Sequence, residues 1–139
     1  MAAAVTENPK TQAILVIDDE AYFRRFVGQV VKKATTARVI EARDGREGVK
    51  QFEEHSPALV LLDISMPHLD GVRTLTALRK LSDKVPIVML TSLSEEKVVE
   101  ECIEQGASFF IRKDVQAASL AMALHEILTE FLHQKETPA

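Results

Sequence analysis

Seven polar residues of the 139-residue chain stand directly after short, largely apolar runs, and their types suit one kind of chemistry. Asp18, Asp19 and Glu20 follow AILVI; Asp63 follows ALVLL; Thr91 and Ser92 follow PIVML; Lys113 follows SFFIR. Each alone has an ordinary explanation. An aspartate there is commonly a turn residue or helix cap, a threonine a strand-end hydroxyl, a lysine a solvated charge. The combination is more specific. If the runs are strands of one parallel sheet, the groups meet at one edge, because such sheets bind ligands beyond the carboxyl ends of their strands. Three carboxylates gathered there repel, each pair at about 4 Å costing ~1 kcal/mol in water and ~4 kcal/mol at an effective dielectric near 20. A divalent cation compensates, and hard oxygen ligands favour magnesium. Magnesium and a lysine also neutralise phosphoryl oxygens, and a carboxylate can act as the nucleophile that forms an aspartyl phosphate.

The elements that must position these groups alternate in type. Strands are expected at 13–17, 38–42, 58–62, 86–90 and 108–112, where the runs are short, apolar and rich in branched residues. Helices are expected at 21–33, 45–54 and 71–81, where apolar residues recur at helical spacing. A fourth helix should start at the N-cap Ser94, with Glu95 and Glu96 in its first turn, and run to Gln105, with Gly106 closing it. A fifth should span 115–133. Five strands alternating with five helices predict one α/β domain, a parallel sheet covered on both faces. The domain should occupy 13–133, with 1–12 and 134–139 as flexible tails.

Composition narrows the classes. Net charge is −4 with no block of Lys or Arg, so direct binding to nucleic acid is not expected. No apolar run is long enough to cross a bilayer, and residues 1–12 lack the order of a signal peptide, so a cytoplasmic protein is expected. Cys102 is the single cysteine and falls in a helical pattern, which suits a buried thiol. His55, His68, His125 and His133 have no metal-ligand spacing and read as surface residues. A dinucleotide-binding domain would need a glycine-rich turn where Asp18 and Asp19 stand. The enzyme alternative is a small aspartate-based phosphatase or phosphotransferase of the haloacid-dehalogenase type. That class needs an acid two residues after its nucleophile, where this chain has Ser65.

The segments ILVIDDE, LVLLDISMPHLDG, VMLTS and GASFFIRK strongly resemble the receiver domains of two-component response regulators of the chemotaxis type, and the resemblance extends from residue 13 to residue 133. It implies a flavodoxin-like, doubly wound sheet with strand order 2-1-3-4-5. It implies Asp63 as phosphoacceptor, and Mg2+ held by Asp18, Asp19, Asp63 and the backbone carbonyl of Ser65. Thr91, the backbone N–H of Ser92 and Lys113 would bind the phosphoryl group, and Thr91 with Phe110 would form the switch. The implied donor in such a phosphorelay is a sensor histidine kinase or a histidine phosphotransfer protein. The implied output is a downstream protein partner or self-dimer at the face of the fourth helix, fifth strand and fifth helix. Such a domain catalyses only its own phosphorylation and dephosphorylation. Leu93 and Ser65 would flank the attacking water, and an apolar Leu93 implies slow loss of the phosphoryl group.

Two positions depart from the family pattern. Asp114 replaces a proline, so a trans Lys113–Asp114 bond is expected, with Asp114 a candidate N-cap for the last helix. Phe109 stands where a polar residue is common. It either packs beneath a helix or contributes an exposed aromatic to an interaction surface.

Overall fold

The computed structural model describes residues 12–66, 70–92 and 96–132. Its elements run β1 (Ala13–Ile17), α1 (Ala21–Ala34), β2 (Arg38–Ala42), α2 (Gly45–His55), β3 (Leu59–Asp63), α3 (Gly71–Leu81), β4 (Ile87–Thr91), α4 (Glu96–Glu104), β5 (Phe109–Arg112) and α5 (Ala117–Leu132). The five strands form one parallel sheet in the order β2-β1-β3-β4-β5, as the resemblance implied.

The continuous apolar runs have a simple cause. β1, β3 and β4 are buried along their whole length, because a parallel sheet is covered on both faces. Alternate residues feed two separate cores. Ile14, Val16, Leu59, Leu61, Val88 and Leu90 pack against Phe23, Val27 and Val31 of α1 and Leu120, Leu124 and Ile127 of α5. Leu15, Ile17, Val60, Leu62, Ile87 and Met89 face the other way, onto Phe52 of α2, Leu75 and Leu78 of α3 and Cys102 of α4. The edge strands β2 and β5 are only partly covered.

Local signals set several helix ends. Asp44 and Asp70 cap α2 and α3, accepting hydrogen bonds at 2.9 Å from the N–H groups of Glu47 and Arg73. Gly106, at φ 102°, closes α4: its N–H donates to the Ile103 carbonyl, and the Ala107 N–H to that of Cys102. Expectations on Pro67, His68, Leu93, Ser94, Glu95 and His133 lie outside the described residues.

The start of α5 corrects one expectation. The helix begins at Ala117 and not at Val115, so Asp114 lies three residues before it and not at its N-cap position. The Asp114 carboxylate instead accepts from Arg112 Nε at 2.6 Å, a charge-assisted bond to a strand-end guanidinium. The Lys113–Asp114 peptide is trans, as expected.

Gly71, the first residue of α3, is required by close approach. A Cβ there would lie 2.4 Å from the Asp63 carbonyl oxygen and 2.5 Å from the Ile64 Cα, and backbone cannot yield as a flexible side chain can. At Gly28, inside α1, a Cβ would meet nothing within 4 Å. In urea denaturation, Gly71→Ala should therefore lose about 1–3 kcal/mol or more, whereas Gly28→Ala should gain about 0.4–1 kcal/mol. Equal stabilities for the two variants would contradict the packing described.

Candidate functional site

The carboxyl ends of β1, β3, β4 and β5 meet above the sheet, and the side chains singled out in the sequence gather there. Asp63 is the last residue of β3 and Thr91 the last of β4, each one position inside its strand, where the sequence suggested they would follow it. Both are buried. Register sets Asp63 opposite Leu90 and Thr91 opposite Arg112. The Lys113 N–H then donates to the Thr91 carbonyl at 2.7 Å, which anchors the lysine backbone to β4.

One oxygen from each of the Asp18, Asp19 and Asp63 carboxylates can be chosen so that all three lie within 4.8 Å of one another. Asp18 is fully buried and Asp19 exposed. The Lys113 ammonium is 2.6 Å from Asp18 Oδ2, 2.9 Å from Glu20 Oε1 and 3.6 Å from Asp63 Oδ2. It also lies over the Phe23 ring, 4.4 Å from the centroid. Asp63, Ser65, Thr91, Ser92, Lys113, Asp19 and Glu20 all line one cavity of about 790 Å³. The Ser65 N–H approaches Asp63 Oδ1 at 3.4 Å, a long and weak contact.

This geometry dictates the electrostatics. Burial pushes the Asp63 carboxyl up to about 7, and the neighbouring Asp18 charge pushes the same way, against the pull of Lys113. Burial also raises Asp18, although Lys113 and the Glu20 N–H favour its charged form. Burial alone would lower Lys113, but the hydrogen bonds to Asp18 and Glu20 outweigh it and hold the ammonium above the usual lysine range. Among the described residues here, acid outnumbers base, and the grouped carboxylates offer hard oxygen ligands. That donor set fits a small divalent cation.

Two supporting residues were not singled out in the sequence. Arg24 is buried on α1, where its Nη1 donates to the Asp18 carbonyl at 2.7 Å and its Nε to Glu41 Oε1 at 2.7 Å. It thereby pins the turn that carries the acids to β2. Phe23 is a core residue of α1. Its face is also the apolar wall beneath the Lys113 ammonium.

On the switch side, Phe110 is half-buried against the core that contains Met89 and Cys102. Phe109 points to the opposite face and is 51% exposed, so it does not pack beneath a helix. Among the described residues, no helix is long and apolar enough to cross a membrane.

Residues 14–125 match the family described as the response regulator receiver domain. The chain belongs to the response-regulator receiver family. The receiver is 33% identical over 115 residues to the chemotaxis protein CheY of Bacillus subtilis, covering 83% of this chain and 96% of that one. It is 34% identical over 120 residues to the nitrate/nitrite response regulator protein NarL of Escherichia coli, but spans only 56% of that protein and 86% of its own length. Among solved structures it resembles the Mn(2+)-bound form of response regulator Rcp1, with a TM-score of 0.79 at 26% identity, covering 92% of this chain and 99% of that one. Nothing in these likenesses favours the haloacid-dehalogenase alternative, and Ser65 still stands where that class requires an acid.

The raised Asp63 has a consequence for the metal-free receiver. Its carboxyl titrates at about 7 folded against an ordinary 3.8, so between those values the folded state binds more protons than the unfolded one. Stability therefore falls as pH rises through that window. Asp63→Asn should gain little on wild type at pH 4, increasingly more towards pH 7, and a constant amount above it. Urea denaturation in a chelator at pH 4, 6 and 8 measures this. A difference independent of pH would show that Asp63 carries no such penalty.

Proposed function

We propose that this receiver accepts a phosphoryl group on Asp63 from a phosphohistidine donor. The observation that carries the reading is a buried carboxylate at a strand end, grouped with two further carboxylates and 3.6 Å from a lysine ammonium. In the transfer, an Asp63 carboxylate oxygen attacks phosphorus and forms a P–O bond. The P–N bond to the donor imidazole breaks, its electron pair stays on nitrogen, and the imidazole takes up a proton.

Asp18, Asp19, Asp63 and the Ser65 carbonyl would hold magnesium. Bound there, the cation supplies the positive charge that keeps Asp63 ionised and screens the phosphoryl oxygens. Asp18 already spends one oxygen on Lys113, which leaves Asp19 and Asp63 facing the cavity. Thr91, the Ser92 N–H and Lys113 would then hold the three phosphoryl oxygens, since all three residues line the same cavity. The Mn(2+)-bound relative supports a divalent ion in this pocket.

The donor would be a sensor histidine kinase or a histidine phosphotransfer protein. The output would be a change of partner, a downstream protein or a second copy, at the face of α4, β5 and α5. Phosphorylation adds charge and acceptors that one conformer pairs better than the other. Movement of Thr91 towards the phosphoryl group would leave space that the half-buried Phe110 takes up. Exposed Phe109 and Val115 beside Phe131 line a further cavity of about 550 Å³ on this face, which supports an interaction surface.

Incubation with acetyl phosphate and magnesium, read by intact mass, tests the reading. Wild type should gain one phosphoryl mass, and a chelator should suppress the gain. Asp63→Ala should gain none; equal labelling of that variant would refute Asp63 as the acceptor.

A further inference from the structure

We infer that Glu20 is a positioning residue that holds the Lys113 ammonium in a resting place, and that this hold slows the delivery of Lys113 to a phosphoryl oxygen. The inference rests on Asp63 being the acceptor.

The surroundings of the ammonium carry it. An ammonium has three donors and no acceptor. Lys113 Nζ spends two on short bonds, to Asp18 Oδ2 at 2.6 Å and Glu20 Oε1 at 2.9 Å. Asp63 Oδ2, at 3.6 Å, lies outside hydrogen-bond range. The Phe23 ring closes another side, 4.4 Å away. The cation proposed to receive the phosphoryl group is therefore held more closely by two other acids than by the acceptor.

A new oxygen arriving at Asp63 competes with these two partners for the ammonium, and the two differ in how readily they let go. Asp18 is fully buried, and its other oxygen accepts from the Glu20 N–H at 2.9 Å, so its release would strand a charge. The Glu20 side chain is 42% exposed and can rehydrate. Among the described residues, its second oxygen accepts from the exposed Tyr22 hydroxyl, at a long 3.4 Å. Glu20 is thus the partner that exchanges, and it sets how readily Lys113 becomes available.

Glu20→Gln keeps the shape and an acceptor oxygen but weakens the hold. The chain has no tryptophan, so phosphorylation by acetyl phosphate is followed by quenched intact mass. Glu20→Gln should label about fivefold faster, which corresponds to ~1 kcal/mol at 1.36 kcal/mol per tenfold. Its magnesium dependence should be unchanged. In a Lys113→Met background the substitution should have no effect, because the residue acts through the lysine. An unchanged rate, an acceleration that persists without Lys113, or a shifted magnesium midpoint overturns the inference.

A second readout does not depend on labelling of the Lys113→Met variant. The 15N resonance of Lys113 Nζ should differ between wild type and Glu20→Gln in the free protein. It should coincide when both bind beryllofluoride with magnesium. Identical free-state resonances overturn the inference. Asp63→Ala, run in parallel, separates the two levels: if it labels like wild type, the acceptor reading falls; if it is silent while Glu20→Gln matches wild type, only the role of Glu20 falls.

Discussion

A single ammonium, that of Lys113, holds together a pocket with four acids around it: Asp18 and Glu20 in direct contact, Asp63 at 3.6 Å, and Asp19 within the same carboxylate group. In water such repulsion is small, but burial of Asp63 and Asp18 removes the screening. The pocket therefore carries an excess of negative charge that one lysine cannot balance. Two additions relieve it, a divalent cation and a proton, and the raised Asp63 carboxyl expresses the second. A site under this tension responds strongly to whatever changes its charge, which is what a phosphorylation switch requires.

The rest of the fold serves that tension. Parallel strands bring their carboxyl ends to one edge, so acids from β1 and β3 and a lysine after β5 meet although 95 residues separate Asp18 from Lys113. Each contributor is fixed through its backbone. Arg24 grips the Asp18 carbonyl, Gly71 lets α3 approach the Asp63 carbonyl closely, and the Thr91 carbonyl binds the Lys113 N–H. Two dense cores behind the edge resist relaxation, so the charges cannot simply move apart.

Much of this was legible in the sequence because the signals are strong ones. Continuous apolar runs mark doubly covered strands, and the polar residue that ends each run marks the site. The strand order came only with the resemblance, since periodicity does not say which strands are neighbours. Details that depend on a captured side chain were not legible. Asp114 looked like a helix cap, yet Arg112 takes its carboxylate, and α5 starts later. Arg24 was not singled out, although its spacing to Val27 and Val31 sets it on the buried stripe of α1. Strand alternation places Phe109 and Ile111 on one face but does not give their different burial, 51% against 5% exposed, which follows from the edge position of β5 and the reach of α5.

The central claim is that Asp63 carries an electrostatic penalty imposed by burial and by Asp18, and that a cation relieves it. A pH titration of the Asp63 side-chain carboxyl by 13C NMR, assigned by its loss in Asp63→Asn, measures that penalty directly. Without metal the midpoint should lie at about 7, and saturating magnesium should bring it well below that. A metal-free midpoint near the ordinary 3.8, unmoved by magnesium, would contradict the claim.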